Sequence, residues 1–475
     1  MGSSGGSVQQ EAHFEVASGP SDTLTITDNR TGQTYCLPIE HNAIRATDFK
    51  AIKCPVKDRN PANQYENGIR LFDPGFQNTA CMQSQITYVD GEAGEIYYRG
   101  IPVPELYRSG RPFEHVAFLL IFGHLPTNEE AAALNTSIAG TPPLPQNILS
   151  MIKQLPLDAH PATCIASIVA AYAASRPEKI PAHCGKNIYK GNLAVCDAEI
   201  PQFLGTYAMI ATAIFCHLRQ EEWQPPKLEY SYTENVLHML RFIDTETGRP
   251  NPRVVSILSR QWILCANLEL TNSTAAFLHA ASTLCDPWSC SASSNLSGTG
   301  ILHGGAMEVA YKQLETIGDV SGVPRLIEQV KQGKQRLFGY GHRMYKVTDP
   351  RAAFVRELIA EATSDPEKLK ADKILQVALE IEKIAAEDEY FISRNLCANV
   401  DLFLTFVYKA IGIPANYVLP MCLLGRTPGM VAHWRESMSD PKPRMWRPLQ
   451  LYVGKLPNRT EENSQGPKDV LDDKS

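Results

Sequence analysis

A helical period governs most of this chain. From about residue 113 onward, apolar residues recur at helical spacing in one segment after another, each bounded by glycine or proline. An apolar stripe over 113–122 is stopped by Gly123. Buried helices are predicted over 162–175, 204–218, 233–243 and 254–284, and helices with charged faces over 306–318, 323–332, 352–364 and 371–388. Two more apolar helices are expected at about 401–411 and 417–425. Proline clusters at 142–145 and 225–226 mark loops. Strand signals are confined to the front. Thr23-Leu24-Thr25-Ile26-Thr27 and Thr34-Tyr35-Cys36-Leu37 alternate around a turn at Asn29-Arg30-Thr31-Gly32, and 84–89 and 95–98 flank Asp90-Gly91-Glu92. The chain therefore reads as mainly α with short strands near its start.

With 475 residues, 44% of them hydrophobic and 20% charged, it is long enough for two or three domains and a large core. A net charge of −6 without a basic stripe points away from nucleic acid, and no apolar run reaches the roughly 18 residues of a membrane span. Residues 1–20 are rich in Gly, Ser and Gln and are expected to be disordered; the polar tail 456–475 is expected to be flexible. The first residues lack an apolar signal core, and Asp472-Asp473-Lys474-Ser475 is no peroxisomal or retention signal, so a cytoplasmic location is expected. Twelve cysteines without a C-x-x-C pair suggest reduced thiols, most of them buried, and no metal site.

Three titratable residues stand in settings that favour chemistry. His303 precedes Gly304-Gly305, His342 follows Gly339-Tyr340-Gly341, and Asp401 follows Asn399-Val400 at the start of an apolar helix. Singly, each has an ordinary reading as a loop histidine or a helix N-cap. Together, two imidazoles and a carboxylate can lift a proton from carbon beside a thioester and hold the resulting charge. Arg351, Arg426 and Arg447 are singly unremarkable surface or structural residues; as a set they suit a dicarboxylate, because a guanidinium grips a carboxylate with two parallel hydrogen bonds.

In sequence order, Phe72-Asp73-Pro74-Gly75-Phe76, Tyr98-Arg99-Gly100, Leu302-His303-Gly304-Gly305, Gly341-His342-Arg343-Met344-Tyr345-Lys346, Asp349-Pro350-Arg351, Asn399-Val400-Asp401, Ala432-His433-Trp434 and Arg447-Pro448 fit one pattern. On these residues the chain resembles the citrate synthase family, of the bacterial type that includes methylcitrate synthases, from about 22 to 455. The resemblance implies a mainly α citrate synthase fold. A large helical domain would span 51–304 and 413–455, with a small helical domain, 305–412, inserted and a small β element at 21–50. It implies that Asp401 removes the α-proton of an acyl-CoA, His303 holds the thioester oxygen and His342 polarises the ketone of oxaloacetate. Arg351 and Arg426 would hold oxaloacetate carboxylates, joined by Arg447 from the partner subunit of a homodimer. Lys346 and Arg343 would meet CoA phosphates. Coenzyme A enters as a thioester substrate; no cofactor or metal is implied.

The chain departs from the family pattern around the pocket. Leu268 stands where a histidine is usual, Met307 where asparagine is, and Leu404-Thr405 where Ser-Gly is. The imidazoles, the carboxylate and the arginines remain. This combination is similar to fungal alkylcitrate synthases and implies an acyl chain longer than acetyl. The alternatives are an ordinary citrate or methylcitrate synthase and an inactive member that only binds acyl-CoA.

Overall fold

The computed structural model describes residues 22–53, 55, 68–363, 365–451 and 453. The segments expected to be disordered or flexible, 1–20 and 456–475, lie outside these. The chain divides into two compact units, one of 1–83 with 448–475 and the other of 84–447.

The first unit carries the expected hairpin. Strands β1 (Thr23–Asp28) and β2 (Gln33–Pro38) pair antiparallel, with Thr23 opposite Pro38 and Asp28 opposite Gln33. Asp28 closes the turn: its carboxylate accepts the Arg30 backbone N–H at 3.0 Å and the Arg30 guanidinium at 2.9 and 3.0 Å. This is the side-chain-to-backbone capture that lets aspartate set a turn.

The second unit begins with a small antiparallel sheet of β3 (Thr87–Asp90), β4 (Glu95–Tyr98) and β5 (Ile101–Pro102) and continues as helices. Most helices lie where the apolar period places them. Among those that it did not predict are Val103–Arg108, Asn128–Ala139, Gln146–Lys153 and Pro287–Gly298. The last is built from small polar residues and has little periodicity, but its start is marked by the Asp286 cap and Pro287. The core helix is longer than the predicted 204–218. It runs Leu193–Leu218 through Pro201 and is buried almost all round from Ile200 to Cys216. Gly205 lets it press on its neighbour, since a Cβ there would meet Thr141 Oγ1 at 2.2 Å and the Ile138 carbonyl at 2.6 Å.

The single helix expected over 254–284 is instead two, Pro252–Cys265 and Asn272–Ala281. Side chains take the backbone groups that a helix would need. Tyr98 Oη donates to the Asn267 carbonyl at 3.0 Å and accepts the Asn267 N–H at 3.2 Å; the Leu268 N–H is taken by Asn267 Oδ1 at 2.6 Å. Glu269 adopts φ +48° and accepts the Val89 N–H at 2.9 Å. Thr271 then caps the second helix.

The helix Val418–Ser439, well beyond the predicted 417–425, lies against this break. Gly425 and Gly429 make the approach possible: a Cβ on Gly425 would lie 2.5 Å from the Trp262 ring, and one on Gly429 2.4 Å from the Ala266 carbonyl. Trp262 Nε1 donates to the Met421 carbonyl at 2.9 Å. The eleven described cysteines are free thiols, and five are buried, fewer than expected from sequence. Among the described residues, no single helix is long and apolar enough to cross a membrane.

Gly429→Ala should force the Ala266–Asn267 backbone away, at a cost of about 1–3 kcal/mol for overpacking. The thermal unfolding midpoint should fall by a few degrees; an unchanged midpoint would contradict the close approach.

Candidate active site

His303 sits on the turn before the helix Gly305–Ile317, its N–H held by the Gly300 carbonyl at 3.0 Å. The glycines after it serve packing. A Cβ on Gly304 would lie 2.6 Å from Leu419 and 2.7 Å from the Gly298 carbonyl, and one on Gly305 2.4 Å from the Thr299 carbonyl. The ring accepts the Ser273 backbone N–H at Nε2, 3.1 Å away, with Ser273 Oγ at 2.8 Å. Ser273 belongs to the first turn of Asn272–Ala281, so a helix N-terminus faces this nitrogen. The hydrogen-bond pattern assigns the proton to Nδ1. Burial, then the nearby Arg426, pushes the imidazole down to about 4, so it is neutral near pH 7.

His342 and Asp401 are held by one another's loops. Segments 339–341 and 397–399 pair, with Tyr340 bridged to Ala398, Gly341 N–H to the Cys397 carbonyl at 2.8 Å and Asn399 N–H to the Gly339 carbonyl at 2.9 Å. Gly339, at φ +79°, leaves room for the Asp401 turn: a Cβ there would stand 2.8–2.9 Å from Leu402. The buried Asn399 amide then ties both loops, donating from Nδ2 to the Gly341 carbonyl at 2.7 Å and accepting the Asp401 N–H at Oδ1, 2.9 Å away. His342 Nδ1 accepts the N–H groups of Met344 and Tyr345, both at 3.1 Å, which assigns the ring proton to Nε2. Burial, with Arg351 assisting, pushes this imidazole also down to about 4. Asp401 does not cap a helix as expected. It lies in a 3-10 turn, Val400–Leu402, capped by Asn399, and the helix begins at Leu404. Burial raises its carboxyl to about 6, against the pull of Arg351 and Arg426.

Arg351 is 3% exposed and spends one edge on Asp349, with Nε to Oδ1 at 2.9 Å and Nη2 to Oδ2 at 2.7 Å. Nη1 remains for another acceptor. Arg426 has no carboxylate partner among the described residues, and burial, reinforced by Arg351, pushes its guanidinium down. Its charge is felt by His303 and by Asp401, while that of Arg351 is felt by Asp401 and by His342. The two imidazoles and the carboxylate therefore all feel the charge of this arginine pair.

The other sequence candidates divide. Arg447 is exposed, beside Trp446, whose N–H is held by Ser282 Oγ at 3.0 Å, and it meets none of this group in one chain. Lys346 and Arg343 are exposed on the loop after His342, and the Lys346 N–H is bound by the Gly91 carbonyl at 2.8 Å. Leu268 is half-buried in the helix break; Met307, Leu404 and Thr405 are buried. Sequence reasoning assigned no role to Asn399 or Asp349, although each stands two residues before the group it orients, a spacing at which Asn and Asp capture backbone. Ser273 carried no signal, since its contact with His303 spans 30 residues.

The sequence model of the family described as citrate synthase, C-terminal domain, matches residues 75–449. The citrate synthase-like protein oryE of Aspergillus oryzae is 45% identical over 94% of this chain and 99% of its own length. The glyoxysomal citrate synthase of Cucurbita maxima is 37% identical, covering 91% and 81%. The alkylcitrate synthase phiJ of a fungal species is 34% identical, covering 94% and 97%. Among solved structures, the ternary complex of carboxymethyl coenzyme A and oxaloacetate with the citrate synthase of Thermoplasma acidophilum superimposes with a TM-score of 0.73. It shows 27% identity and covers 82% of this chain and 98% of that one. The fold is that of these enzymes, mainly α as expected.

The buried groups also fix how stability depends on pH. His303, His342 and His433 are each pushed by burial from 6.5 to about 4. Between these values the unfolded chain takes up protons that the folded rings refuse, so acidification destabilises. Asp401, raised from 3.8 to about 6, acts oppositely, because there the folded state keeps the proton. Three groups outweigh one, and going from pH 7 to pH 5 should cost on the order of 3 kcal/mol. Thermal unfolding followed against pH checks this; a midpoint that rises on acidification would contradict it.

Proposed function

The chain belongs to the citrate synthase family, and from that premise we propose that it condenses an acyl-CoA longer than acetyl with oxaloacetate, releasing an alkylcitrate and free CoA. The observation that carries the reading is a buried carboxyl raised to about 6 that feels the same two arginines as two neutral imidazoles, each ring with its proton on a defined nitrogen, while Arg426 has no hydrogen-bonded carboxylate among the described residues.

The steps follow from those groups. The Asp401 carboxylate takes the α-proton, and the C–H electrons move onto the thioester oxygen, where His303 Nδ1–H donates to the developing enolate. A thioester α-proton is far too weakly acidic for a carboxylate in water, and a donor placed at the oxyanion offsets roughly 3–4 kcal/mol of the gap. Arg426 and Arg351 Nη1 orient the carboxylates of oxaloacetate, and His342 Nε2–H polarises its ketone. The carbon nucleophile attacks that carbonyl within one complex, forming the new C–C bond. Water then cleaves the thioester and CoA leaves as the thiol. Closure of the small domain, 305–412, on the large one would exclude bulk water during the first steps.

Met307, Leu404 and Thr405 beside these groups, and Leu268 in place of an imidazole, support the longer chain. An ordinary citrate synthase is the second reading, favoured by relatives such as the glyoxysomal enzyme. That relative also makes the peroxisome the alternative to a cytosolic location, and imaging of the full chain decides between them.

Purified protein should release CoA from hexanoyl- to decanoyl-CoA faster than from acetyl-CoA, only with oxaloacetate present, and Asp401→Ala should abolish the release. Equal or better turnover of acetyl-CoA would overturn the chain-length reading, and oxaloacetate-independent release the condensation. Because the base must be ionised, kcat/KM should fall as pH drops through about 6, well above the titration of either imidazole. If Arg447 completes the site across a homodimer, inactive Arg447→Ala and Asp401→Ala proteins should regain activity when mixed under subunit exchange; persistent inactivity would contradict a shared site.

A further inference from the structure

Two residues that no step uses lie four positions from groups that the steps do use, and a third lies on the helix that follows the base. Cys422 precedes Arg426 by four residues on the helix Val418–Ser439, which puts the two on one face. Met307 follows His303 by four, inside the helix Gly305–Ile317. The helix Leu404–Ala410, which begins directly after the Asp401 turn, carries Tyr408. These positions converge: Cys422 Sγ lies 3.6 Å from Met307 Sδ and 3.7 Å from Tyr408 Oη. Met307 is 6% exposed and Tyr408 fully buried, whereas Cys422 keeps part of its surface open. Arg426 and Asp401 both act on the Cys422 thiol, so it lies within reach of both groups.

A small, weakly polar side chain backed by a thioether makes an apolar, adaptable wall. It contributes no charge, is a poor hydrogen-bonding group, and adds nothing to the proton transfers. Once the α-proton points at Asp401, the substituent on the α-carbon needs an apolar surface within reach of the base, and this thiol offers one.

We propose that Cys422, backed by Met307 and Tyr408, is the wall against which the acyl chain packs, and that its small volume is what admits an aliphatic chain longer than acetyl. The proposal rests on the acyl-condensation reading above. It assigns to this one position the chain-length choice that the sequence attributed to several departures together.

Filling the position tests it. In Cys422→Phe the ratio of kcat/KM for octanoyl-CoA to that for acetyl-CoA should fall by at least about tenfold, since a misfit of one or a few methylenes in such a pocket is worth that much. Cys422→Leu, a milder enlargement that guards against misfolding, should lower the ratio less. Met307→Ala, which opens space behind the thiol, should move the preferred chain upward. Circular dichroism and oxaloacetate binding, measured on each variant, separate a lost fold from a changed preference. A ratio unchanged in folded Cys422→Phe and Cys422→Leu would overturn the proposal while leaving the condensation reading intact. A wild-type preference for acetyl-CoA would remove the reading itself and the proposal with it.

Discussion

Of two buried guanidinium groups that feel one another's charge, one is hydrogen-bonded to a carboxylate and the other is not, and the arrangement of the site follows from that asymmetry. Asp349 satisfies one edge of Arg351, whereas Arg426 has no hydrogen-bonded acid among the described residues and feels Asp401 only through space. Leaving a charge out of water without a partner is expensive, costing several kcal/mol even after relaxation. A fold keeps such an unbonded guanidinium where a ligand supplies the missing acceptor. The helix Val418–Ser439 must approach the break after Cys265 closely for this to happen, and Gly425 and Gly429 permit it.

The two arginines also sort the titratable groups. Burial already disfavours charge on every side chain here; the arginines add to that effect on the imidazoles and oppose it on the carboxylate. The rings stay neutral and can donate from a fixed nitrogen, while the Asp401 carboxyl, though raised, still ionises below pH 7. Environments that push acid and base apart in this way are how one cavity runs both roles at a single pH. The tautomers depend on backbone N–H groups, one at a helix N-terminus and two in the turn after His342, so the backbone selects the donor atom on each ring.

Much of this was legible in the residues themselves. The helical period located most of the helices, and Asn29-Arg30-Thr31-Gly32 located the hairpin turn. His303, His342, Asp401, Arg351 and Arg426 stand out in the sequence by residue type and setting, while which charge reaches which ring is set by the fold. What escaped was non-local. The break in 254–284 depends on Tyr98 and Val89, far away in sequence, while locally the segment is apolar enough to continue as a helix. The glycines beside His303 and at 339 serve packing that the local sequence does not announce, because Leu419, the 298–300 backbone and Leu402 fill the space beside them. The helix Pro287–Gly298 was hidden by its small polar residues, which carry no apolar stripe. Arg447 cannot be placed by one chain alone, because it is exposed and stands apart from the cluster.

The central claim is that the arginine pair awaits a dicarboxylate. Calorimetric titration of oxaloacetate into the wild-type protein and into Arg426→Gln, without any acyl-CoA, tests it most directly. Loss of one fully desolvated charge partner should weaken binding by about a hundredfold, while circular dichroism shows the fold unchanged. Equal affinity in the two proteins would contradict the account.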